Sequence, residues 1–583
     1  MFKLVRFLIK YRLQVILGPI FKLTEAVFEL IVPLVMASII DVGIKNGDEG
    51  FVYRQGALII MLGVFGLAFA LVCQYMASKA SQGFGTELRR EMFTHINKLS
   101  HNELDEFGTA SLITRLTSDI NQLQVAVAML IRLVVRAPFL VIGSTIMSFM
   151  IDVKLSLIFL AAIPLIAVTL WLVTTKTIPF YKNIQKKLDK TALITRENLI
   201  GARAVRAFAK QGHEQERFEE NADTINRTAI RAGKISALLT PITSVILNLA
   251  IVAIIWFGGF SVNVGDLTQG EIIALVNYMN QILLALIVTS NLVVIFTKSA
   301  ACAARVNEVL ETEPSVKENT TENIVTDENA YAIEFDKVFF SYHNNGEYAL
   351  EDITFTARRG ETIGIIGGTG SGKSILINLI PRFYDITGGT VKVNGQDVKD
   401  YPLEQLRNLI GIVPQKAALF SGTVRDNMKW GDKNCSDEEI WSALNIAQAE
   451  EFVSQMPDGL DSMILQEGKN LSGGQKQRLT IARAVCRKPE ILILDDSASA
   501  LDYATDAKLR SAIKENCKDM TVIIISQRAN TVKAADKIIV MHDGAAVGMG
   551  THKELLTSCA EYCEICLSQF SAEEIEKELQ DEE

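Results

Sequence analysis

Two short stretches hold residues whose types and spacing can do chemistry on a phosphate chain. In IGIIGGTGSGKS an apolar strand runs into Gly367, four intervening residues, and then Gly372, Lys373 and Ser374. Glycines at 367, 368, 370 and 372, with Thr369 and Ser371 between them, let backbone N–H groups turn inward and cradle phosphates. A helix N-terminus behind such a loop adds favourable partial charge. Lys373 is placed to reach the β- and γ-phosphates and Ser374 to ligate Mg²⁺. The second stretch, ILILDDSASALD, is an apolar strand ending in Asp495 and Asp496. A carboxylate at that point can hold Mg²⁺ directly or through water. Its neighbour is placed to act on an attacking water, and it is the short acid, not the long one.

The elements that position these residues follow two patterns. The chain has 583 residues, 49% hydrophobic, with a mean hydropathy of +0.22, which predicts more than one domain and a membrane-borne part. Residues 55–78, 155–175, 235–265 and 272–297 carry no charge, and 13–43 and 127–151 are nearly as apolar. Each is long enough to cross about 30 Å of hydrocarbon as a helix. Six spans are therefore expected within residues 1–310. Long polar stretches (79–126, 176–234) alternate with short loops. The 176–234 stretch carries 13 Lys/Arg and the 258–271 loop none, so the long stretches are expected on the cytoplasmic side. The opening MFKLVRFLIKYRLQ is expected to be a cytosolic lead-in, with the N-terminus inside.

Residues 311–330, ETEPSVKENTTENIVTDENA, have the composition of a linker. Residues 331–570 mix strand and helix patterns, and 571–583 form an acidic tail. The expected fold is thus a polytopic α-helical membrane domain followed by an α/β P-loop domain. A net charge of −9 argues against a nucleic-acid partner. The eight cysteines are scattered, which predicts no disulfide framework. Cys559, Cys563 and Cys566 share a helical face, as a packing surface or, less simply, as part of a metal site.

The run NLSGGQKQRL at 470–479, with the P-loop and LDD, resembles the ATP-binding cassette of ABC transporters. Gln415 in GIVPQKAALF is similar to that family's Q-loop, Tyr342 in FFSY to the aromatic that stacks on adenine, and SALD at 499–502 to the D-loop. Six spans ahead of one cassette resemble a type IV exporter half-transporter. The resemblance implies ATP and Mg²⁺ as cofactors, with Ser374, Gln415 and Asp495 around the metal. It implies a dimer in which Leu471, Ser472, Gly473, Gly474 and Gln475 reach the partner's ATP. It also implies coupling helices near 102–110 and 207–215, the second reaching the partner's cassette.

Against that family, two positions depart. The acid after the metal-binding aspartate is usually Glu, and here it is Asp496. A retreat of about 1 Å from the water costs on the order of 10²-fold. The usual switch histidine is replaced by Gln527, which hydrogen-bonds but carries no charge. Glu467, before the signature, stands near the family's acidic X-loop position. The resemblance then implies a subunit with a degenerate site, as in heterodimeric bacterial multidrug exporters in the plasma membrane, moving small amphipathic molecules. A slow homodimeric exporter or lipid flippase, or an ATP-gated regulator that does not pump, stays open. Lys22, Glu25, Glu29, Arg132 and Arg136 lie in apolar spans, either paired with one another or facing a cargo such as a cationic drug. Trp256, Phe257, Tyr278 and Phe296 line a pathway, face lipid or pack inside.

Overall fold

Long apolar runs with few breakers give six helices that pass the length and hydropathy of a membrane span: Lys3–Ile44, Glu49–Ile96, Thr109–Ile151, Val153–Ile200, Gln211–Val264 and Gln269–Glu311. They are called spans 1 to 6. The computed structural model describes residues 2–318, 330–342, 346–571 and 573–575. Most of the linker 311–330 and of the acidic tail 571–583 lies outside the described residues. The chain divides into two units, Met1–Asn97 with Thr109–Thr312, and Lys98–Gly108 with Glu313–Glu583.

In the first unit the short loops are closed by capping chemistry. Asp48 accepts from the Phe51 N–H at the start of span 2, and Asp152 from the Leu155 N–H at the start of span 4. Thr268 and Glu271 form a capping box opening span 6. Each such cap satisfies donors that hydrocarbon cannot. Asp41 at the end of span 1 accepts from Thr268 Oγ1 at 2.6 Å and from the Gly270 N–H at 2.9 Å. Gly270 is required there, since a Cβ would lie 2.4 Å from the Ala37 carbonyl oxygen.

Phe159, Ile254, Tyr278, Met279 and Ile282 fill the core between spans. The Tyr278 hydroxyl donates to the Leu30 carbonyl at 2.7 Å, so this residue packs rather than lining a pathway. Trp256 and Phe257 are exposed, as lipid-facing residues would be, and Phe296 lines a small apolar cavity with Leu4 and Leu8. In the region where a second coupling helix was expected near 207–215, the short helix is Ala202–Ala207. Gly201 ends the preceding helix, Ala209 turns at φ 49°, and the chain from Gln211 is already the returning long helix.

The second unit includes the short helix His101–Phe107, begun by a Ser100/Glu103 capping box. Glu103 accepts from the Ser315 N–H and Ser100 Oγ from the Val316 N–H. The His101 ring stacks on Phe383 at 4.3 Å between centroids.

The strands are β1 (Ile333–Phe340), β2 (Leu350–Ala357), β3 (Thr362–Gly367), β4 (Gly388–Val393), β5 (Gln396–Asp397), β6 (Ile410–Val413), β7 (Gly422–Thr423), β8 (Met463–Ile464), β9 (Ile491–Asp495), β10 (Thr521–Ser526), β11 (Lys537–His542) and β12 (Ala545–Gly550). The main sheet runs β12-β11-β3-β10-β9-β6. It is parallel except for β11 with β12. β9 and β10 are buried along their whole length, which explains their unbroken apolar runs. β2-β1-β4-β5 form an antiparallel sheet.

Cys435 and Cys486 are paired, while the other six cysteines are in no disulfide, so the described residues hold no disulfide framework. The paired two are 51 residues apart in sequence, and only helix packing brings them together. Cys559 and Cys566 are buried beside Leu555 and Tyr562. No group of three metal-ligating side chains occurs among the described residues.

Candidate functional site

The site is built where β3, β10 and β9, adjacent in the sheet, reach their C-terminal ends, the usual ligand edge of a parallel sheet. Ile363, Ile365 and Ile366 bury β3 and deliver Gly367 to that edge. A Cβ on Gly367 would sit 2.2 Å from the Met541 carbonyl oxygen, so only glycine lets the loop turn there. Gly370 and Gly372 have φ of 86° and 95°, the left-handed region in which glycine is at ease. The helix Lys373–Leu379 follows.

Lys373 is buried, and its Nζ donates to the Gly367 and Gly368 carbonyls at 2.9 and 2.5 Å and to Ser371 Oγ at 3.1 Å. Burial pushes its ammonium pKa down, and Asp496 and Asp495 oppose the shift. Ser374 Oγ donates to Asp495 Oδ1 at 3.2 Å. Burial also pushes the Asp495 carboxyl up, against the Ser374 hydrogen bond.

Asp496 departs from regular strand geometry. Its φ is 44°, a conformation that Asp tolerates better than most side chains. Its N–H donates to the Ile525 carbonyl at 3.0 Å, which stitches it to β10. Its Oδ2 accepts from Gln415 Nε2 at 3.3 Å. Burial raises its pKa, with Gln415, Arg528 and Lys373 opposing. Ser499 closes the next turn by donating from N–H and Oγ to the Asp496 carbonyl.

Gln527 follows β10. Its backbone is held by a residue that the sequence did not suggest. Gln569 Nε2 donates to the Gln527 carbonyl at 2.8 Å, and Gln569 Oε1 accepts from the Ala529 N–H at 2.9 Å. Arg528 lies 5.0 Å above the Tyr503 ring. No local motif marks Gln569, since its partners are some 40 positions away.

Thr369, Gly370, Ser371, Gly372, Lys373, Ser374, Gln415, Asp495, Asp496 and Gln527 line one cavity of about 260 Å³. Tyr342 is not among its lining residues. It meets Phe340 and Tyr384 edge-on at 5.0 and 5.7 Å, and the Tyr384 hydroxyl donates to Asp105 at 2.8 Å.

Leu471, Ser472, Gly473, Gly474 and Gln475 are not on this cavity either. They open the helix Gly473–Cys486, where Ser472 and Gln475 cap each other. A Cβ on Gly473 would meet nothing within 4 Å, so that surface is open for another chain. Glu467 sits just ahead in a tight turn at φ 56°.

The residues fit the nucleotide and its metal. The glycine loop leaves room for a phosphate chain against backbone. Ser374 and Asp495 converge as oxygen donors, the type that Mg²⁺ prefers.

A phosphate-gripping cassette of this topology, carried behind six membrane spans, is the build of an ATP-driven transporter subunit. Comparison with known proteins agrees. The model of the ABC transporter transmembrane region matches residues 15–286, and that of the ABC transporter ATPase domain matches 350–499. The uncharacterized ABC transporter ATP-binding protein YfiB of Bacillus subtilis is 39% identical over 98% of this chain and 99% of its own. The ATP-dependent lipid A-core flippase of Syntrophus aciditrophicus is 30% identical over 91% of this chain and 89% of its own. A solved bacterial Atm1-family ABC exporter with ATP bound superposes with a TM-score of 0.78, at 23% identity, over 97% of this chain and 98% of that one.

The chain belongs to the ABC transporter family. It is a half-transporter, a multi-pass membrane protein with its ATP-binding cassette on the same chain. ABC half-transporters dimerise, and Mg²⁺ serves the family's ATP sites in general.

Proposed function

We propose that this chain is the ATP-holding half of a heterodimeric exporter, in a bacterial plasma membrane with N-terminus and cassette cytoplasmic. Its cargo class is small amphipathic or drug-like molecules. The observation that supports this best is Asp496. It is one methylene shorter than the family's glutamate, sits on a left-handed backbone, and is hydrogen-bonded by Gln415. Gln527 on the cavity wall supplies no charge to the phosphates.

MgATP at the partner's site would supply the phosphoanhydride whose cleavage resets the transport cycle. Lys373 and the glycine loop bind the phosphates. Ser374, Asp495 and Gln415 would hold the metal. Asp496, drawn toward Gln415, leaves the attacking water poorly positioned, so this site grips nucleotide without turning it over quickly. Tyr342 stacks on the adenine. Ser472, Gly473, Gly474 and Gln475 are given to the partner's site, where full hydrolysis takes place. A homodimeric exporter or lipid flippase is the alternative, favoured by the name of the flippase relative alone.

The test is to purify this chain alone and with a second half-transporter, and to measure Mg-ATPase rate and native mass. A 1:1 heterodimer with robust turnover and a nearly silent lone chain supports the reading. A brisk homodimer contradicts it.

A further inference from the structure

Lys22, Glu25, Glu29, Arg132 and Arg136, the charged residues in the inner parts of spans 1 and 3, do not balance. Lys22 Nζ donates to both oxygens of Glu25, at 2.7 and 2.5 Å. Arg136 donates to Glu29 at 2.7 Å. Both carboxylates are thereby taken, and neither is left to attract a cationic cargo. Arg132 has no hydrogen bond or ion pair among the described residues. Three cations stand against two carboxylates, leaving one positive charge. Arg136 adds an unused donor, since its Nε is buried without a hydrogen-bond partner. An intramembrane charge without a counter-ion is costly, and such a residue defaults to a functional role.

Three further observations place this charge. Arg132 lies in a π-helical turn, Leu130–Val134, a distortion frequent at functional sites. It is about 28 Å along span 3 from Ile151, at a rise of about 1.5 Å per residue. That puts it near the cytoplasmic boundary of a hydrocarbon core about 30 Å thick. Spans 1, 2 and 3 meet at Gly18, Met76 and Ile131, since a Cβ on Gly18 would lie 2.5 Å from Ile131 and 3.8 Å from Met76, so Lys22 and Arg132 each lie within about a turn of one spot. One to two turns from that spot along spans 1 and 2 is an apolar cluster, where the Phe69 ring lies 5.5 Å from Phe21 and 5.7 Å from Phe28.

We propose that Arg132, assisted by Arg136, binds the phosphate or carboxylate head of an acidic single-chain amphiphile drawn from the cytoplasmic leaflet. The alkyl tail rests on Phe21, Phe28 and Phe69. This inference rests on the export reading and reverses its cationic-drug expectation.

The experiment uses the full chain in phosphatidylcholine nanodiscs, with empty nanodiscs subtracted. Equilibrium binding is measured for dodecyl phosphate, dodecyltrimethylammonium and inorganic phosphate. Saturable binding of dodecyl phosphate is expected, about tenfold weaker in Arg132→Gln. Arg132→Lys should restore most of it, and Arg132→Glu should invert the preference toward the alkylammonium.

Equal affinity in wild type and Arg132→Gln overturns the proposal, as does equal binding of the alkylammonium by wild type. Inorganic phosphate binding as tightly as the alkyl phosphate overturns the amphiphile. Arg132-dependent binding with no ATP-driven movement by any dimer defeats the export reading and leaves the site standing. ATP-driven export indifferent to Arg132 does the reverse.

Discussion

Replacing Asp496 by Glu, together with Gln527→His, asks whether the site is slow because of its acid and switch. Glu adds one methylene and moves the carboxylate about 1.5 Å toward the position of the attacking water, a misplacement on the order of 10²-fold in rate. That factor corresponds to about 2.7 kcal/mol of barrier. Two features oppose the gain. Asp496 sits at φ 44°, where Glu is less at ease than Asp by about 1 kcal/mol. Its carboxylate is also held by Gln415 at 3.3 Å, and Glu must keep or forgo that bond. Even if all of the backbone strain opposes catalysis, about 1.7 kcal/mol remains, a gain of about 20-fold. The assay is single-turnover hydrolysis of radiolabelled ATP by the assembled dimer, with the partner's own acid removed so that only this site reports. A change below threefold would refute the view that acid length limits this site.

Other consequences are open to direct measurement. Burial pushes the His101 imidazole below its ordinary value of 6.5, with Arg407 acting the same way and Asp105 opposing. The docked state therefore prefers neutral His101, and docking of His101–Phe107 weakens as pH falls from about 6.5 through the lowered value. Hydrogen exchange at 101–107, corrected for intrinsic rates, should show this loss, and His101→Phe should flatten it while keeping the stack on Phe383. Gln569→Ala frees the backbone on either side of the switch residue, and should shorten ATP retention several-fold with little change in the ATP concentration needed to fill the site. A Gln527→Ala background should absorb that effect. Gly270→Ala drives a methyl into the Ala37 carbonyl and should destabilise the membrane unit by about 1–3 kcal/mol, read as a lower unfolding temperature in detergent.

What the sequence made legible was local. The P-loop, the strand ending in Asp495 and the signature run are each contiguous, so residue type and spacing alone place their chemistry. The six apolar runs are legible for the same reason, because hydrocarbon thickness fixes their length. Features that depend on packing between distant segments were hidden. The left-handed backbone at Asp496 accompanies a bond from its N–H to Ile525 on the neighbouring strand. Gln569 finds Gln527 only because the C-terminal helix folds back, and Cys435 meets Cys486 only through helix packing. The short helix Ala202–Ala207 lies a few residues before the expected 207–215 because its limits are set by Gly201 and by the turn at Ala209, a backbone choice that helical periodicity does not reveal. The intramembrane charges were visible as residues. Lys22 and Glu25 pair locally, three residues apart in span 1, whereas the Arg136–Glu29 pair is decided by how spans 1 and 3 meet.

The most direct measurement is the fate of ATP bound to this chain. The heterodimer would be loaded with photoreactive, α-labelled ATP, allowed one turnover at the partner's site, and crosslinked. The expected result is intact triphosphate retained on this chain's cassette while the partner's cassette carries diphosphate or is empty. Diphosphate on both cassettes at equal rates would contradict the holding role assigned to Asp496 and Gln527.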